Sequence, residues 1–206
     1  MQDAISGIVL AGGSSTRMGQ DKRRLRLWGA QGPTLLAHTL NLLHPLCAER
    51  IVVLNDPEAW PDLGVRCVPD VVAGAGPLAG LVAGLQAMRH EIAVVLACDM
   101  PSVQPALLHG LLAALGSADA ALPCRPHATR NALGLEPLLA VYRRSALPPL
   151  QLALARGEQR LYVALQALTI AQLAPEQWQH YDPQGLSFRN LNTPSEAAAF
   201  APDQSV

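Results

Sequence analysis

The stretch Ile5-Ser6-Gly7-Ile8-Val9-Leu10-Ala11-Gly12-Gly13-Ser14-Ser15-Thr16-Arg17-Met18-Gly19-Gln20-Asp21-Lys22 decides the reading of the fold. Residues 5–11 are a short apolar run, the pattern of a strand buried on both faces. A glycine-rich loop follows directly and ends at the only lysine of the chain. Working outward, residues 50–54, 65–69 and 92–97 read as further strands, and 118–122 and 138–142 as two more. Residues 33–43, 78–88, 103–115, 147–156 and 159–168 carry helical patterns. Ser102 is a candidate N-cap for the third of these helices. Residues 169–173 suit an edge strand. Thr193-Pro194-Ser195-Glu196 has the form of a capping box with proline in the first turn. Strands alternate with helices through the first two thirds, which predicts an α/β fold: a doubly wound, mostly parallel sheet with helices on both faces, Rossmann-like.

Length and composition agree with that class. The 206 residues suit one domain, with a nucleotide-binding part over about 1–122 and an acceptor-side part over about 123–200. Half the residues are hydrophobic and 15% are charged, as in a compact enzyme. A formal net charge of −1 argues against nucleic acid or an anionic membrane as partner. No apolar run approaches the roughly 18 residues of a membrane span. Cys47, Cys67, Cys98 and Cys124 form no C-x-x-C pair, so zinc and redox motifs gain no support. With no charged leader before Ile5, a cytoplasmic location is expected.

In a doubly wound sheet, ligands bind beyond the carboxyl ends of the strands. Gly12 to Lys22, Asn55, Asp70 and Asp99 all fall at that rim. Gly12 and Gly13 remove side chains where backbone amides can approach an anion, and Arg17 and Lys22 add positive charge. The spacing is neither a P-loop nor a dinucleotide fingerprint. A tight turn is the competing explanation of the glycines, but two cations in the same loop favour phosphate. Lys22 stands alone among fourteen arginines. A compact ammonium suits a tight phosphate pocket better than a planar guanidinium does. Asp99, at the end of a strongly apolar strand, is either a helix cap or a ligand for magnesium; opposite a phosphate loop the metal role is favoured. Asn55 and Asp70 are either turn residues or readers of a base and ribose. Residues 74–80 either let a flat ligand approach the backbone or form a tight strand-to-helix connection.

These motifs resemble a known family. LAGGSSTRMGQDK at 10–22, GPLAGL at 76–81, CDMP at 98–101, EPLLAVY at 136–142 and NLNTP at 190–194 look like the molybdenum cofactor guanylyltransferases, nucleotidyltransferases of the same α/β fold. NLNTP is the motif that points to the guanylyl-transferring branch. The resemblance runs in order from about residue 5 to 200. It implies transfer of GMP from GTP to molybdopterin, with pyrophosphate released and magnesium as cofactor. Carried over by position, Leu10, Ala11, Gly12 and Gly13 would contact the nucleotide and Lys22 a phosphate. Asn55 and Asp70 would bind guanosine, and Asp99 both nucleotide and magnesium. Arg17 would support the phosphates, and Asn190 and Asn192 would face the pterin. Handing over a labile cofactor implies transient cofactor-handling protein partners. Residues 123–135 depart from the family pattern, since a histidine–proline pair is replaced by Arg125-Pro126-His127. No histidine is given a catalytic role, because a phosphate nucleophile is already anionic. The competing functions are a cytidylyltransferase or other nucleotidyltransferase on this scaffold, and a non-catalytic nucleotide-binding regulator or adaptor.

Overall fold

A computed structural model describes residues 4–12, 21–72, 74–125, 134–193, 195, 196 and 200. In chain order, its strands and helices are β1 (Ile5–Leu10), α1 (Leu35–Leu43), β2 (Glu49–Val53), β3 (Arg66–Val68), α2 (Pro77–Ala87), β4 (Ile92–Ala97), α3 (Pro105–Ala114), β5 (Ala120–Pro123), β6 (Leu139–Arg143), α4 (Leu147–Ala155), α5 (Leu161–Ala164), β7 (Ile170–Leu173) and α6 (Pro175–Trp178). The strands form one sheet in the order β3-β2-β1-β4-β6-β5-β7. β6 is antiparallel to both its neighbours; every other pairing is parallel. The expected doubly wound, mostly parallel sheet is therefore what forms.

Both faces of this sheet are covered, which is why its strands are continuous apolar runs. Period-2 alternation divides β4 between the two sides. Val94 and Leu96 pack with Leu36 and Leu40 of α1 and Leu107 and Leu111 of α3. Ala93 and Val95 pack with Leu78, Leu81 and Leu85 of α2 and Leu161 of α5. Leu35 turns away from both layers and joins Leu25, Leu27 and Leu191 in a small third cluster. No helix among the described residues is long and apolar enough to cross a membrane.

Three elements depart from the pattern read in the sequence. α3 starts at Pro105, with Gln104 in the cap position and no side-chain cap; Ser102 is not its N-cap. Proline fits the first turn and resists a deeper position, while Ser187 Oγ accepts the Gln104 N–H at 2.9 Å. The helix expected over 159–168 is a short α5 that tightens into a 3-10 turn over Leu165–Ala167. α6, which carries the buried Trp178, had no counterpart in the sequence reading. The capping box at Thr193 does form. Thr193 Oγ1 accepts from Glu196 N at 3.2 Å, and Glu196 Oε2 accepts from Thr193 N at 3.1 Å.

Candidate active site

From β1 the chain winds to β2 and β3 on one side, then crosses to β4 on the other. The switch point lies between β1 and β4, and the crevice beyond their carboxyl ends is where such sheets take ligands. Ala11 and Gly12 leave the end of β1; Cys98 and Asp99 leave the end of β4. The ladder continues to this point, with Cys98 N donating to Leu10 O at 3.1 Å. A cleft of about 720 Å³ opens here. Leu10, Ala11, Gly12, Lys22, Asn55, Asp70 and Asp99 all line it. Gly13 and Arg17 lie outside the described residues.

Lys22 Nζ donates to Asp99 Oδ2 at 2.9 Å and to Asn192 Oδ1 at 2.9 Å. Two backbone features aim these groups. Lys22 opens a 3-10 turn over Lys22–Arg24 capped by the Asp21 side chain. Leu191 N donates to Asp99 O at 2.9 Å, so the segment bearing Asn192 is stitched to the end of β4. Glu196 Oε2 also accepts from Asn192 N, which ties this segment to the capping box. Asn190 lies exposed on the same segment and does not line the cleft. Among the described residues, Asp99 Oδ1 accepts no hydrogen bond.

Across the cleft, Asn55 and Asp70 hold each other. Asn55 Nδ2 donates to Asp70 Oδ2 at 2.9 Å, and Asp70 N donates to Asn55 Oδ1 at 2.9 Å. The Asp70 carboxylate also lies close to two glycines. A Cβ on Gly12 would stand 3.4 Å from both its oxygens, and a Cβ on Gly80 would stand 3.2 Å from Oδ1. Gly80 therefore makes room for the carboxylate, while the approach at Gly12 is an ordinary contact. Gly76, at φ 76°, holds a left-handed conformation that favours glycine and leads into Pro77 at the start of α2.

The sequence reading missed Arg23 and Asp56, which also line the cleft. Arg23 forks onto Asp21 and Asp56. Its hydrogen bond to Asp56 raises its pKa against burial, with Asp21 contributing. Burial opposes the charge on Asp21, yet the hydrogen bonds from Arg23 outweigh it and hold the carboxyl below its ordinary value. Adjacent positive and negative residues give no sequence signal for a pair 33 positions apart. Burial pushes the Cys98 thiol up to about 12, so it is no nucleophile. None of the five described histidines lines the cleft.

This arrangement suits a nucleotide with a polyphosphate tail: open backbone at the end of β1, Lys22 beside Asp99, and the Asn55–Asp70 pair next to Gly12. The MobA-like NTP transferase domain matches residues 7–172. A protein of Chloroflexus aggregans named probable molybdenum cofactor guanylyltransferase is 53% identical over 193 residues, covering 93% of this chain and 91% of its own. The crystal structure of molybdopterin-guanine dinucleotide biosynthesis protein A from Archaeoglobus fulgidus superposes with a TM-score of 0.76 at 28% identity, covering 94% of this chain and 95% of that one. A 2-C-methyl-D-erythritol 4-phosphate cytidylyltransferase from Thermus thermophilus shares the fold at a TM-score of 0.66 and 20% identity, covering 94% of this chain and 95% of that one.

Proposed function

The chain belongs to the MobA-like NTP transferase family, and from that premise we propose that it transfers GMP from GTP to the molybdopterin form of the molybdenum cofactor, releasing pyrophosphate. The observation that carries this reading is the meeting of Lys22 and Asp99. Seventy-seven positions apart in sequence, they come within 2.9 Å of each other at the mouth of the switch-point crevice.

The residues present fit a magnesium ion held largely by the nucleotide's own oxygens. Among the described residues, the charged side chains lining the cleft are Lys22 and Arg23 against Asp56, Asp70 and Asp99. A triphosphate entering beside these three carboxylates is favoured by a cation brought with it. Asp99 offers an oxygen without a hydrogen bond among the described residues, and magnesium is commonly bound by one or two carboxylates plus phosphates. No group of three or more potential ligands exists among the described residues, so an all-protein cage is not the fit. Held at Asp99, magnesium would supply charge neutralisation on the phosphates.

The chain's own residues do the rest by positioning and electrostatics. Lys22 moves from Asp99 to the phosphates, and Arg17 supports the departing pyrophosphate. Leu10, Ala11, Gly12 and Gly13 present backbone to the nucleotide, and Asn55 and Asp70 bind guanosine. The acceptor's phosphate oxygen forms a bond to the α-phosphorus as the α–β bridging bond breaks in line, and the electron pair leaves with pyrophosphate. A phosphate nucleophile needs no general base. Asn192, and Asn190 with it, face the acceptor. The four cysteines are free thiols, which supports the cytoplasm as compartment. Product release there involves transient cofactor-handling proteins.

Purified protein with GTP, molybdopterin and magnesium should release pyrophosphate in step with guanine dinucleotide formation. Faster turnover with CTP would reassign it as a cytidylyltransferase. Nucleotide binding without pyrophosphate release from any nucleoside triphosphate would make it a binding protein.

A further inference from the structure

Arg23 uses its whole guanidinium. The Nε–H goes to Asp21 Oδ1 at 2.8 Å. Nη1 reaches Asp56 Oδ1 at 2.6 Å and Ala11 O at 3.3 Å. Nη2 reaches Asp21 Oδ2 at 2.8 Å and also Asp56 Oδ2. Guanidinium has five N–H donors in a fixed fork, and each has an acceptor here. The group is 14% exposed and stands over the Trp60 ring, 5.4 Å from its centroid.

Those acceptors belong to three separate segments of the cleft wall. Ala11 is the last residue before Gly12. Asp21 precedes Lys22 and caps its 3-10 turn. Asp56 follows Asn55. One side chain thus joins the end of β1, the base of the lysine turn and the exit of β2. Its two carboxylate partners leave it no charge to offer a ligand.

We propose that Arg23 is a positioning residue for polyphosphate binding, acting through Lys22 by clamping Ala11, Asp21 and Asp56 into one rigid corner. The proposal rests on the phosphate-binding role given to Lys22 above. Lysine cannot replace it: an ammonium has three donors and no plane, so at least two of the five contacts are lost and the corner loosens.

The test is a double-mutant cycle on binding, with magnesium-loaded GTP and inorganic tripolyphosphate as probes. Arg23→Lys should weaken both about tenfold, the scale of one lost charge-assisted contact. In a Lys22→Ala background the same change should weaken them less than about twofold, because the residue it positions is gone. Asp56→Asn, a change of equal size on a more exposed side chain, should give a smaller loss that is again absent without Lys22. A merely structural role would lower thermal stability and give additive losses in the cycle. Full additivity overturns the proposal, as does binding unchanged by Arg23→Lys or no tripolyphosphate binding by the wild type. If the wild type takes tripolyphosphate but prefers CTP to GTP, the guanylyl reading fails, while the tripolyphosphate cycle still decides the role of Arg23.

Discussion

Guanidinium groups over much of this surface end on backbone carbonyls. Arg66 reaches Ala87 O, Arg143 reaches Ala118 and Gly116, and Arg144 bridges Met88 and His90. Arg24 reaches Ala59 O and lies 4.4 Å over the Trp60 ring. A planar fork does this work well. Lys22 does something different. Its single nitrogen meets Asp99 and Asn192 at 2.9 Å each, in a corner where its side chain is only 16% exposed. Shape, not charge, sets the difference. Lys22→Arg should therefore lower kcat/KM by about tenfold or more while conserving charge. Steady-state kinetics with GTP as the varied substrate measures this, and wild-type values would show that the lone lysine is incidental.

At the scale of elements, close packing and side-chain hydrogen bonds govern the outcome. α2 lies so near the sheet that a Cβ on Gly84 would stand 2.5 Å from Ile8 Cγ2 and 3.3 Å from Val53 Cγ2. Alanine favours helix, yet here overpacking wins, and Gly84→Ala should destabilise by about 1–3 kcal/mol. A higher urea midpoint in the variant would contradict that. At the far side of the sheet, Asp119 binds β5 to its neighbours. Its Oδ1 accepts from Ser145 Oγ, and its Oδ2 accepts from Thr169 N at 2.9 Å and Thr169 Oγ1 at 2.7 Å. The Ser145 bond, then those from Thr169, lower its pKa from the usual 3.8. The unfolded chain lacks these bonds and so holds more protons between the two values. This stability is present above the unfolded pKa and is lost as pH falls through the folded one. Asp119→Asn should be less stable near neutrality, and its stability should fall less than wild type as pH drops below about 4. Parallel acid titrations of the two would contradict the assignment. β4 was legible over its full length because six apolar residues between turn signals admit few other readings. The start of α3 was misread because Ser102 has cap chemistry, while the proline at 105 sets the boundary. α6 was illegible: four residues give no period, and Trp178 is fixed by Cys124 O at 3.0 Å, 54 positions away.

For the whole molecule, the strand order is what turns scattered polar residues into one place. Once the sheet was read as doubly wound, the carboxyl rim followed, and with it the nearness of Gly12, Lys22, Asn55, Asp70 and Asp99. The direct contacts did not follow. Nothing in the sequence pairs Asn192 with Lys22, or Arg23 with Asp56, because those contacts depend on side-chain direction at the ends of loops. Nor did the sequence reveal that Asn55 spends both ends of its amide on Asp70 before any ligand arrives. The proposed chemistry requires that Lys22 and Asp99 share a magnesium-bound triphosphate. The most direct test is the Kd for GTP with magnesium and with chelator, in wild type and in Asp99→Asn. Magnesium should tighten wild-type binding by about tenfold or more, and Asp99→Asn should lose most of that gain. Equal binding of wild type with and without the metal, or an undiminished magnesium response in Asp99→Asn, would contradict it.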